Sequence, residues 1–121
     1  RLIVVLRRVT PRSRLLELVG ELTDAGASIF EITFDGDDPE TDMAAVRESL
    51  QASGRDGWIG AGTLRTTDQV ARAAAAGAAF GVSPILDASV MAAAADAGLP
   101  FVPGAFSPTE ADAAWRAGAA S

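Results

Sequence analysis

A carboxylate stands inside an apolar run at Ser28 to Phe34, SIFEITF, where Glu31 is surrounded by Ile29, Phe30, Ile32 and Phe34. Burying an ionised acid is costly unless the charge is paired or neutralised. In an extended strand Phe30, Ile32 and Phe34 project to one side, and Ile29, Glu31 and Thr33 to the other. Glu31 then lies either on a wet face, as in a half-exposed antiparallel sheet, or in an interior that tolerates a carboxylate because it moves protons. A carboxyl in such an interior has its pKa raised by desolvation unless a nearby cation opposes it. It can then donate and accept a proton near neutral pH. An ion pair with Arg would place a carboxylate in the same way without any chemistry.

Composition narrows the choices. The 121 residues contain no Cys and no His, which removes disulfides, thiolate metal sites, the usual zinc ligands and the usual neutral-pH base. All ten basic residues are Arg and none is Lys, which we read as a coding bias that also enriches Ala. Sixteen acidic residues give a net charge of -6, a poor match to a phosphate backbone, so nucleic acid is not an expected partner. The longest apolar runs are Ala-rich and broken by Gly or Asp well short of the ~20 residues a membrane span needs. Nothing resembles a signal peptide. The expectation is a soluble, cytoplasmic protein with no membrane partner. With 49% hydrophobic residues, the chain suffices for a single domain over residues 1–121.

The elements that must position Glu31 come from a repeated unit. Glycines recur at Gly26, Gly54, Gly77, Gly98 and Gly118, at spacings of 28, 23, 21 and 20 residues, and Gly suits the left-handed position just past a helix end. After the first four come extended apolar stretches, SIFEIT, GWIGAGT, AAFGVS and LPFVPG. Before each glycine lies a helical segment with a start signal. Thr10-Pro11 and Asp38-Pro39 each offer a cap followed by Pro at the first helical position. Thr66 with Gln69, and Ser107 with Glu110, have capping-box spacing, and Asp87 can cap the helix through ASVMAAAADAG. In the first helix Leu15, Leu18, Val19 and Leu22 form a stripe for packing on a sheet.

Alternating strands and helices imply a parallel sheet with crossover helices. Two architectures fit: a doubly wound open sheet of flavodoxin type, or a (βα)8 TIM barrel, of which this chain would cover about five βα units. The barrel is favoured twice. The final AGAAS repeats the pattern that elsewhere leads from a helix end into a strand. Gly60 and Gly62 alternate on one face of WIGAGT, as expected where inward positions must make room. The start at Arg1, inside an apparent strand, and the end at Ser121 lead us to expect that residues are missing on both sides. In such folds chemistry sits at the C-terminal ends of the strands, here Arg7 and Arg8, Glu31 and Thr33, Gly62 and Thr63, Ser83 and Pro84, and Pro103 and Gly104.

FEIT, GAGT, VSP and PGAFSPTE, in this order and at these spacings, closely resemble the class I 2-keto-3-deoxy-6-phosphogluconate (KDPG) aldolases, also called 4-hydroxy-2-oxoglutarate aldolases. The resemblance covers nearly the whole chain. It implies a (βα)8 barrel, usually a homotrimer, that cleaves KDPG of the Entner-Doudoroff route to pyruvate and glyceraldehyde 3-phosphate without a metal or other cofactor. It further implies a lyase that binds its 2-keto acid as a Schiff base on a Lys of strand six. By the same resemblance Glu31 is the catalytic proton shuttle, Thr63 helps hold the substrate carboxylate, and Pro84 is a wall of the pocket. Many members carry an Arg four residues after the Glu; here that residue is Asp35. Others use an Arg at the end of strand one, which matches Arg7, and Arg7 is our candidate for gripping the carboxylate.

No Lys is present, so residues 1–121 alone cannot form the imine, and the phosphate site expected near strands seven and eight falls outside them. The expectation is the N-terminal part of a longer aldolase. The DGDD run at Asp35 to Asp38 lacks metal-loop spacing and reads as a turn before the next helix. Alternatives are an aldolase for the phosphogalactonate epimer or for 4-hydroxy-2-oxoglutarate, a flavodoxin-like binding module, or a degenerate half barrel used only in assembly. Trp115, with Ala111 and Gly118 a turn away on each side, marks either an oligomer contact or the packing of its own helix onto the sheet.

Overall fold

The computed structural model describes residues 2–120, so Arg1 and Ser121, on which the expectation of missing residues drew, lie outside it. Ten elements alternate: β1 (Val4–Leu6), α1 (Arg12–Asp24), β2 (Ile29–Thr33), α2 (Pro39–Ala52), β3 (Trp58–Gly62), α3 (Thr67–Ala75), β4 (Gly81–Ser83), α4 (Ala88–Asp96), β5 (Phe101–Pro103) and α5 (Pro108–Arg116). All pairings are parallel and the sheet order is β1-β2-β3-β4-β5. That sequential order belongs to a barrel, because a flavodoxin-like sheet has a switch point at which the order reverses. The doubly wound alternative is therefore excluded.

Right-handed crossovers between sequential parallel strands put every helix on the same side of the sheet. The core agrees. Leu6, Phe30, Ile32, Ile59, Ala61 and Phe101 from the strands are buried with Leu15, Val19, Met43, Val46, Val70 and Val90 from the helices. Phe30 is fully buried, which is worth roughly 1.5–3 kcal/mol for a side chain of this kind. Alternation then turns Val5, Glu31, Thr33, Gly60, Gly62 and Val82 to the opposite, helix-free face. Register sets Val5 beside Glu31, Glu31 beside Gly60, and Thr33 beside Gly62.

The glycines Gly26, Gly54, Gly77, Gly98 and Gly118 all have positive φ past helix ends, as their recurrence predicts. Leu15 and Val19 are buried in α1 with Leu18 and Leu22 partly buried beside them. Ser107 and Glu110 form a complete capping box, and the Asp87 carboxylate accepts from the Ser89 and Val90 N–H groups. Thr66 accepts from the Gln69 N–H, but the Gln69 side chain reaches the N–H of Arg65, one residue earlier than a capping box requires.

One expected cap fails, and another is met in position only. Helix α1 starts one residue later than Thr10-Pro11 implies, with Pro11 itself at the cap and no side-chain cap bond. Asp38 does stand at the N-cap of α2 with Pro39 at the first helical position, but its side chain makes no cap bond and its Oδ2 pairs with Arg12 at 3.1 Å. Trp115 is 68% exposed, so it does not pack α5 onto the sheet. Beyond α5 the Ala120 N–H donates to the Phe101 carbonyl at 2.8 Å, repeating the bond from Ala79 to Ile59 that leads into β4. Among the described residues no helix is long and apolar enough to cross a membrane.

Candidate active site

Glu31 sits mid-strand in β2 on the helix-free face and is 7% exposed. Its carboxylate rests over Gly62 of the neighbouring strand, and a Cβ built there would collide with Glu31 Oε1. Gly60 likewise makes way for the Phe80 ring. The small residues of WIGAGT thus have a physical role: they open the floor on which a carboxylate and an aromatic ring lie. Among the described residues no cation comes within ion-pair distance of Glu31 and no hydrogen bond reaches its side chain. Burial pushes its carboxyl above the ordinary value, and the positive charge of Arg7 opposes this only in part. A buried carboxyl of this kind is suited to giving and taking a proton.

Arg7 follows β1 and reaches across two strand ends. It donates to Asp35 Oδ2 at 2.7 Å and to Thr63 Oγ1 at 3.1 Å. Arg8 Nε donates to the Asp35 carbonyl at 2.9 Å and lies 3.6 Å from its carboxylate. Two of the residues in this group hold left-handed backbone, Arg8 at φ 48 and Thr63 at φ 59. A β-branched residue there is an outlier, and such strain costs roughly 1–3 kcal/mol and concentrates at functional sites. Thr63 is held by its bond to Arg7 and by its neighbour Leu64, which is fully buried and donates its N–H to the Val82 carbonyl at 3.0 Å.

Asp35 is the opposite of Glu31. The Thr33 hydroxyl, against the effect of burial, and then Arg7 and Arg8 hold its carboxyl below the ordinary range. Thr33 Oγ1 and Asp35 Oδ1 are both buried and neither makes a hydrogen bond of ordinary geometry.

The structure therefore brings Glu31, Thr63 and Arg7 together, and adds Asp35, Gly62 and Arg8. Pro84 stands apart. It follows β4 and lines a concavity with Ile85, Leu86, Gly104, Ala105 and Phe106 that contains none of the other three. Ser83 turns toward the helices, where its hydroxyl donates to the Ile85 carbonyl at 2.6 Å, so it belongs to the turn. A polar groove between Arg8 and Asp42 lies beside this cluster, and two of its acids, Asp38 and Asp42, are already bound to Arg12 at 3.1 and 2.6 Å. Among the described residues no group of three or more His, Cys, Asp or Glu is placed to hold a metal ion.

The family model described as "Aldolase: KDPG and KHG aldolase" matches residues 1–121. The chain belongs to this aldolase family. It is 37% identical over 118 residues to the probable 2-dehydro-3-deoxy-6-phosphogalactonate aldolase of Rhizobium meliloti (strain 1021), covering 98% of this chain and 54% of that protein. It is 34% identical over 116 residues to the 2-dehydro-3-deoxy-phosphogluconate aldolase of Treponema pallidum (strain Nichols), covering 96% of this chain and 52% of the relative. Among solved structures it resembles the KDPG aldolase of Legionella pneumophila with pyruvate captured at low pH as a covalent carbinolamine intermediate. There the TM-score is 0.84 at 26% identity, over 96% of this chain and 54% of that one. The five βα units are those of a TIM barrel, and the chain spans about half the length of the curated relatives it matches.

Proposed function

We propose that this aldolase chain supplies the proton shuttle and the carboxylate grip of a class I enzyme that cleaves 2-keto-3-deoxy-6-phosphogluconate to pyruvate and glyceraldehyde 3-phosphate. The observation that carries the reading is Glu31: buried, free of any ion-pair partner among the described residues, seated over Gly62, and raised in pKa by its surroundings. An acid used only for structure would be paired.

Cleavage of the bond between carbons three and four requires the hydroxyl on carbon four to lose a proton while the keto carbon withdraws the electron pair. Carbon three later takes a proton to become the methyl of pyruvate. Glu31 accepts the first proton and returns one at the second step. An amine at the keto carbon would serve as the electron sink; residues 1–121 contain no Lys, so it must be supplied from outside them. Arg7 and Thr63 take the substrate carboxylate, for which a guanidinium fork is well matched. Pro84 forms a wall on the far side of the opening. A cytoplasmic homotrimer is part of the same reading.

The phosphogalactonate epimer is the second reading, favoured by the 37% identity to a relative named for it. Turnover of the full-length protein on both epimers and on 4-hydroxy-2-oxoglutarate separates these. The largest kcat/KM is expected on the phosphogluconate. Pyruvate with borohydride should add one reduced pyruvate to the intact mass, and an unmodified mass together with no turnover on any of the three would overturn the class I assignment.

A further inference from the structure

Asp35 is left without a task by the reading above, yet it is bonded to both arginines that follow β1. Its Oδ2 accepts from Arg7 at 2.7 Å, and its carbonyl accepts from Arg8 at 2.9 Å. Arg7 spends its other terminal nitrogen on Thr63 Oγ1 at 3.1 Å. The guanidinium of a residue that follows β1 is thereby tied to the loop after β2 and to the loop after β3. A free Arg side chain samples many rotamers, and fixing the planar fork at two points removes that freedom before any ligand arrives. The fork has five N–H donors, so it keeps several for a ligand.

Stability does not account for this arrangement. The Arg7 side chain is 54% exposed, and ion pairs at such sites contribute little. The cluster also bears costs, with Thr33 Oγ1 and Asp35 Oδ1 buried without partners, and Arg8 and Thr63 in left-handed backbone. Arg7 and Arg8 together face the single carboxylate of Asp35, while Asp38 and Asp42 of the neighbouring groove are bound to Arg12.

We propose that Asp35 is a positioning residue, which by holding Arg7 against Thr63 presents the remaining N–H groups of the guanidinium to the carboxylate of a 2-keto acid. This rests on the assignment of Arg7 in the preceding subsection. It makes the acid an orienting partner rather than a lost cation.

The test is steady-state kinetics of the full-length protein carrying Asp35→Asn or Asp35→Glu, on whichever 2-keto acid the wild type turns over. Asp35→Asn should raise KM about tenfold and change kcat less than about threefold. Asp35→Glu, which keeps the charge, should recover part of the KM. A residue that merely stabilised the fold would not split KM from kcat in this way. An unchanged KM in Asp35→Asn, or a loss confined to kcat, overturns the proposal while leaving the aldolase reading intact. Should Asp35→Asn fail to fold, Asp35→Ser, which also removes the charge, takes its place, and a wild-type KM in that variant sinks the idea. A wild type that neither turns over a 2-keto acid nor binds pyruvate by saturation-transfer NMR sinks both.

Discussion

The strand ends divide into two halves built from the same repeat. From β1 to β3 the polar side chains are tied across elements: Arg7 joins Asp35 to Thr63, Arg8 leans on the Asp35 carbonyl, and two non-glycine residues hold left-handed backbone. From β4 to β5 the polar groups are consumed locally. Ser83 closes its own turn, Glu110 completes a capping box, and what is left is Pro84, Ile85 and Phe106. Both halves satisfy the fold, but only the first keeps a buried acid without a partner and pays for it in strain. The difference teaches that function is marked here by polar groups that local structure does not use up.

The sharpest break of this contrast is Glu31→Gln. It keeps the shape and removes the proton, and should lower turnover about 10²–10⁴-fold, the range general acid–base catalysis supplies. Stability should move the other way. The folded-state pKa of Glu31 is raised by burial, so the neutral form favours the native state. Its contribution is fully present below the unfolded value of about 4.3 and is lost as pH rises through the folded value. Melting curves at pH 5 and pH 8 should therefore show Glu31→Gln gaining on the wild type as pH rises. A mutant that is less stable at pH 8 than at pH 5, relative to wild type, would mean that Glu31 is a structural ion-pair partner.

Gly62→Ala comes next. The added Cβ meets Glu31 Oε1 and the carboxylate must shift. Overpacking of this kind costs roughly 1–3 kcal/mol, and turnover should fall about 10²-fold, since displacement of about 1 Å at a reacting group is enough for that. Normal turnover in Gly62→Ala would show that Glu31 does not need its present seat. Arg7→Ala follows, with KM raised about 10–100-fold for loss of a charge-assisted carboxylate contact and a smaller effect on kcat, read by the same kinetics.

Much of the fold was legible in the sequence, and the part that was not has a common cause. Helix ends, the capping of α4 and α5, the stripe on α1 and the room made by Gly60 and Gly62 are all local patterns, set by periods of two or of about 3.6 residues. The repeat alone fitted two strand orders, and the sequential one was favoured by Gly60, Gly62 and the final AGAAS. The failures are contacts between residues that only register brings together. Asp38 stands at the N-cap of α2, but its side chain pairs with Arg12, 26 positions away. The Arg7 to Asp35 bond spans 28 positions, and reading Asp35 by itself made it a departure from the family pattern. One signal was available: an Arg and an Asp at the ends of adjacent parallel strands face each other once the pairing is assumed. The left-handed backbone of Thr63 had no signal, because Thr is among the residues least suited to it. Strain of that kind is visible only in the fold that enforces it.

The smallest effect belongs to the other half. Phe106 is fully exposed at the end of β5, next to Pro84, Ile85 and Gly104. A large apolar side chain so placed looks like a site residue, but it buries nothing, and its N–H is bound to the Glu110 carboxylate at 2.9 Å whatever side chain it carries. Phe106→Ala should leave stability within about 0.5 kcal/mol and kcat/KM within about twofold, measured by thermal melting and by turnover of the preferred 2-keto acid. A tenfold fall in kcat/KM would extend the wall assigned to Pro84 to the exposed Phe106 ring, and an apolar side chain of the β4–β5 half would then matter to the reaction as the charged cluster does.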